Sequence, residues 1–174
     1  MKKNYLINEL WILAWNASVQ HASIYKTGAW KNNSKEISGF RKKIISYISQ
    51  NLIPQYKTTV SESDHCKNIA SLINFANDAD TVGILGNDGY KYGVAQKLLN
   101  LSLKYYWCLD EITEPPHCPV DRIVIDKTKL RGKVNWTTIT READYLQVIR
   151  EIDNLAQQAK QSIAIWELSE YERR

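Results

Sequence analysis

Apolar residues recur three and four positions apart along almost the whole of this chain, and that spacing narrows what it can fold into. A period near 3.6 gathers such residues on one side of a helix, whereas a half-buried strand needs strict alternation. Leu6, Leu10, Leu13, Ala14 and Ala17 predict a first helix within residues 5–25. Gly28 and the Asn32-Asn33-Ser34 cluster mark a turn. Beyond it Ile37, Phe40, Ile44, Ile45 and Ile48 predict a second helix, capped by Ser34 and ended before Pro54. A third opens at Ser61, with Asp64 placed as in a capping box, and buries Ile69, Leu72, Ile73 and Ala76 before closing near residue 80. Residues 83–89 read as a turn, and Tyr92 to Leu109 as a strongly helical run. Pro115, Pro116 and Pro119 then bar helix and force an extended connection. Arg122 to Ile125 reads as a short strand or as the start of a helix. Tyr145, Val148, Ile149, Ile152, Leu155 and Ala156 predict one or two helices between Thr140 and Tyr171.

The expected fold is therefore all-α, a compact helical bundle with a Pro-rich loop and at most a short extended element near residues 120–126. With 174 residues and no repeat, low-complexity tract or linker, a single domain over residues 1–174 is expected. No apolar run approaches the roughly 18 residues of a membrane span. The opening MKKNYLINELWILAWNASVQ is interrupted by Asn8 and Glu9 and lacks a clean cleavage site, so it reads as a first helix, not a signal peptide. No membrane partner is expected. Three cysteines leave one unpaired in any disulfide scheme, which suits a reducing compartment and predicts a cytoplasmic protein. The formal charge of +4 permits a nucleic-acid partner without requiring one. Six tryptophans and ten tyrosines supply core bulk and are also what a protein uses to stack on bases or fill an interface.

Chemistry concentrates between Gly93 and Asp126. A small-residue turn leads into a helix bearing Lys97, and a proline-rich loop delivers Pro119-Val120-Asp121 ahead of an apolar run. This segment resembles the helix-hairpin-helix DNA glycosylases, in particular the 8-oxoguanine glycosylase/lyase branch, over about a fifth of the chain. In that family a hairpin of the form G-h-G-x-K leads the helix of the nucleophilic lysine, and a later P-V-D supplies a second catalytic residue. The resemblance implies Gly93 and Ala95 in the hairpin, Ala95 standing where a glycine belongs, with Lys97 as nucleophile and Asp121 as its assistant. It implies double-stranded DNA as partner, a role in DNA repair and hydrolase or lyase chemistry. An amine would attack the sugar carbon that carries a damaged base, and burial would have to lower the lysine's pKa for it to do so. Hairpin N–H groups would hold a phosphate. Tyr105, Tyr106 or Trp107 would line the pocket for the extruded base. Lys127, Lys129, Arg131 and Lys133 would contact the DNA backbone.

Other readings stand beside this one. Lys97 and Lys104 on the exposed face of an amphipathic helix, with Asp121 as an ordinary cap, would give a non-catalytic helical interaction module, encoded by a mobile element for instance, that binds a protein partner through its aromatic residues. Asp121 with Asp126 and Lys127 faintly resembles a nuclease cluster and ranks lower. His65-Cys66, Cys108 and His117-Cys118 lack the spacing of zinc frameworks, so no metal is expected. A Cys118 nucleophile beside His117 would need a turn to bring the two together. Residues 83–93 match neither the phosphate-loop nor the dinucleotide fingerprint, and no cofactor is implied.

Overall fold

Helices form wherever the three-to-four spacing is sustained. The computed structural model describes residues 2–170. Its helices are α1 (Lys2–Val19), α2 (Ala29–Asn32), α3 (Ser34–Tyr47), α4 (Glu62–Ala79), α5 (Tyr92–Cys108), α6 (Arg122–Ile125), α7 (Glu142–Gln158) and α8 (Ile163–Glu170). Among the described residues there is no strand, only a lone antiparallel bridge between Tyr25 and Leu85. The fold is all-α. Tyr171, the expected limit of the last helix, lies outside the described residues. No helix among them is long and apolar enough to cross a membrane.

Several boundaries depart from the expected ones for local reasons. Asn33, not Ser34, occupies the cap position of α3, and its side chain makes no capping hydrogen bond. Pro54 does not end the winding. After α3 the chain passes through a π turn at Ile48–Leu52 and a 3-10 turn at Ile53–Lys57, with Pro54 in the first turn, where its missing N–H costs nothing. The winding continues because Ile48, Leu52, Ile53 and Tyr56 are all buried. Ser61 does cap α4, its Oγ accepting the Asp64 N–H at 3.1 Å.

The helix that organises the core is α5. Every residue from Tyr92 to Asn100 is buried, and the helix packs on α1, α4, α7 and the turn at residues 136–138. It therefore has no solvated face in this stretch. The polar side chains on it must find protein partners, since an unpaired buried polar group costs about 1–3 kcal/mol.

Candidate active site

The Pro-rich loop between α5 and α6 is fastened at three points. Thr113 donates its N–H to the Tyr56 carbonyl at 2.9 Å and its hydroxyl to the same oxygen at 3.0 Å. His117 Nδ1 meets the Tyr145 hydroxyl at 2.8 Å. Val120 pairs with the fully buried side chain of Gln96 on α5. The Gln96 amide donates to the Val120 carbonyl at 2.7 Å, and its carbonyl accepts the Val120 N–H at 3.1 Å. One side-chain amide thus substitutes for a neighbouring strand and fixes the backbone next to Asp121.

Asp121 has one carboxylate oxygen committed to structure and the other to Lys97. Its Oδ1 caps α6 by accepting the Val124 N–H at 3.2 Å. Its Oδ2 lies 3.5 Å from Lys97 Nζ. Trp136 closes the third side, its ring centroid 4.1 Å from the same ammonium, close enough for a cation–π contact. Gly93 makes this approach of residues 136–139 to α5 feasible, because a methyl at position 93 would overlap the Trp136 carbonyl oxygen. Lys97 is only 8% exposed. Burial pushes its pKa below the ordinary lysine value, and the Asp121 carboxylate pulls it part of the way back. The pair lies in the wall of a cleft of about 800 Å³, whose rim carries Arg122, Asp126, Arg131 and Lys133. The arrangement is a largely desolvated amine beside a carboxylate, in the wall of a cleft with a mostly basic lining.

The sequence-predicted residues divide in two. Lys97, Asp121, Arg131 and Lys133 come together at the cleft. The others lie elsewhere. Gly93 and Ala95 are buried in the first turn of α5 and are not available to a phosphate. The Gly93 N–H already donates to the Ile139 carbonyl at 2.9 Å, and that of Ala95 to the Lys91 carbonyl at 3.0 Å. Tyr105 and Tyr106 pack beside Ile7, Leu10 and Trp11 of α1, where Tyr106 meets the Trp11 ring edge-on at 6.1 Å. Trp107 sits by Pro115 and Ala164. All three lie two or more turns beyond Lys97, about 12–15 Å along the helix axis, and none lines the cleft. Lys127 pairs with Glu170 at 2.9 Å, and Lys129 is exposed away from the cleft lining. The expectation that Lys97 and Lys104 occupy an exposed helix face is also corrected. Lys104 is buried and binds Glu167 at 2.7 Å.

Two contributors were missed, Gln96 and Trp136. Gln96 carried a faint signal as a polar residue inside an otherwise apolar helical turn. Trp136 follows Asn135, whose side chain accepts the Thr137 N–H at 3.0 Å and sets the short turn that holds the indole in place.

The histidine–cysteine ingredients join a hydrogen-bonded network. His65 and His117, far apart in sequence, face each other edge-on with ring centroids 4.9 Å apart. Cys118 is buried, its thiol pushed well up by burial, and the His117 ring faces Tyr145 and Glu62, not the thiol. No group of three or more His, Cys, Asp and Glu residues is placed to hold a metal among the described residues. Compared with protein-family models, with curated proteins and with solved structures, the chain gives no significant match.

Proposed function

We propose that this protein acts on a base lesion in double-stranded DNA as a glycosylase/lyase, with Lys97 as nucleophile and Asp121 as its assistant. The observation that carries the reading is the buried Lys97–Asp121 pair, 3.5 Å apart, opening into a cleft rimmed by Arg122, Arg131 and Lys133. The chemistry asks for a neutral amine. Burial favours that state, and the carboxylate is the group placed to take the proton. The amine's lone pair would form a bond to the sugar carbon while the bond from that carbon to the base breaks. The base would leave with the bonding electrons and take up a proton. The bond from that carbon to the ring oxygen would then break as the nitrogen lone pair forms the C=N bond, the oxygen keeping the electrons and taking a proton from solvent, to leave a protonated Schiff base between Lys97 and the sugar. The basic rim supports the choice of a polyanionic substrate.

The test is borohydride trapping. Reduction of the Schiff base should join the protein covalently to damaged duplex DNA, and Lys97→Gln should abolish the product while the far-UV spectrum stays the same. Absence of trapped product across oxidised, alkylated, deaminated and abasic sites would overturn the assignment. The competing reading, a non-catalytic interaction module, draws support from α1, where Tyr5, Leu6, Ile12 and Leu13 leave an exposed apolar face.

A further inference from the structure

A second depression borders the Lys97 cleft. Gln20 and His21 line the cleft, and they also line this depression of about 690 Å³ formed by residues 16–30. The two hollows are therefore neighbours, meeting at Gln20 and His21. The segment between α1 and α2 is set in an unusual shape to form the second one. His21 and Ser23 both adopt left-handed backbone conformations, with φ of 66° and 49°. Hydrogen bonds from Lys26 to Ile84 at 2.9 Å and from Gly86 to Ile24 at 2.8 Å fasten the segment to the turn before α5. Gly28, with φ of 82°, then turns the chain into α2.

Trp30 belongs to the second depression alone. It lines the depression yet is 61% exposed, and the Tyr25 ring braces it edge-on at 5.1 Å. A large aromatic left open on a braced mount is a platform for another flat ring. The charge along the two hollows indicates which kind. Their two carboxylates are engaged, Asp121 with Lys97 at 3.5 Å and Asp126 with Arg122 at 3.7 Å. Lys26, Arg131 and Lys133 make no ion pair among the described residues. Flat rings combined with spare cations along a channel match one polymer, a nucleic-acid strand.

We propose that the two hollows act as one groove from Trp30 to Lys97 that binds one unpaired nucleic-acid strand, the lesion-bearing strand of an opened duplex included, with a base stacked on Trp30 and phosphates on Lys26, Arg131 and Lys133. The strand crosses Gln20 and His21 and delivers one nucleotide to the Lys97 cleft. This rests on reading that cleft as directed at nucleic acid, but it does not require the chemistry.

The experiment measures anisotropy of a short labelled, undamaged oligonucleotide with protein carrying Lys97→Gln, so that catalysis plays no part. Trp30→Ala should weaken binding roughly 5- to 100-fold, and Trp30→Phe should keep most of the affinity. Lys26→Gln should lower the slope of log affinity against log salt by roughly 0.7. Unchanged thermal melting of Trp30→Phe guards against a folding artefact. Equal affinity of Trp30→Ala and its parent overturns the proposal. So does a failure to bind any oligonucleotide accompanied by Trp30-dependent self-association, which would assign the groove to a second copy of the chain. Trp30-dependent binding without borohydride trapping keeps the groove and removes the glycosylase reading. Trapping with Trp30-indifferent binding does the reverse.

Discussion

Gly93 and Gly39 both sit inside helices, but for opposite reasons, and one substitution separates them. At Gly39, in α3, an added methyl meets nothing within 4 Å. Gly39→Ala should therefore stabilise the protein by about 0.5–1 kcal/mol, the usual helix preference for alanine. At Gly93 the same methyl would run into the Trp136 backbone, which has no flexible end to yield. Gly93→Ala should destabilise by about 1–3 kcal/mol or more, and urea midpoints of the two variants should move in opposite directions. The Lys97–Asp121 pair makes a second forecast at this scale. Asp121 favours the charged lysine against the effect of burial. Asp121→Asn removes that support, so the Lys97 pKa falls further and the alkaline rise of the trapping rate moves to lower pH. The plateau also drops, since the proton acceptor is gone, by something like the 10²–10⁴ typical of acid–base catalysis. A pH–rate profile whose midpoint stays put would show that Asp121 does not set the ionisation of Lys97.

Among the elements, α5 shows both what the sequence tells and where it stops. Its helical character and limits were plain from periodicity, and so was the break that the prolines impose. Its burial was not. Lys97 and Lys104 read as an exposed face, because periodicity registers polarity and not what meets it, and nothing in the spacing singles out Gln96 or Asn100. Their partners are Val120, Asp121, Tyr145 and Glu167, at separations such as 24, 45 and 63 residues. No local window contains such pairs. The same limit explains why the sequence points to Lys97 and Asp121 but not to the indole beside them: the pair lies at the spacing of a known motif, whereas Trp136 reaches Lys97 through a turn set by Asn135 and a packing contact permitted by Gly93. Gln96 is the positioning residue of this element. Gln96→Leu removes both bonds to Val120 and should cost roughly 3 kcal/mol. It should also slow trapping at saturating DNA at least tenfold while DNA affinity stays within about twofold, because Asp121 loses its fixed neighbour and the rim does not change. Gln96→Glu keeps the acceptor for the Val120 N–H and should fall between. Equal losses in rate and affinity would mean that Gln96 supports the fold alone.

Over the whole molecule, α4, the Pro-rich loop, α5 and α7 meet at one buried polar chain, and that chain ties stability to pH. Tyr56 bonds His65 Nδ1 at 2.7 Å, His65 faces His117, His117 bonds Tyr145 at 2.8 Å, and Asn100 donates to Tyr145 at 3.1 Å. Burial holds the His65 pKa well below its ordinary value, and the neighbouring His117 lowers it further, with Asn100 opposing. Burial lowers His117 as well, against the pull of Glu62, whose carboxylate lies 3.2 Å from Nε2. A histidine depressed in the folded state binds fewer protons there than in the unfolded chain once the pH falls below about 6.5. Stability is then fully present above that value and drains away as the pH drops toward the folded pKa, by up to about 1.4 kcal/mol per pH unit for each ring. The buried Glu167 carboxyl, raised by burial, opposes this at the acid end. Asp64 and Asp144, lowered by their exposed cationic partners, come into play only at more acidic pH. Unfolding free energies measured by urea should thus be level from pH 7 to 8 and decline from about 6.5 to 5. His65→Gln lowers stability at neutral pH but takes one titrating ring out of the core, so its profile should be shallower. Glu62→Gln deprives protonated His117 of its partner, so its profile should be steeper. If both variants run parallel to the parent, the acid sensitivity does not originate in this pair of rings.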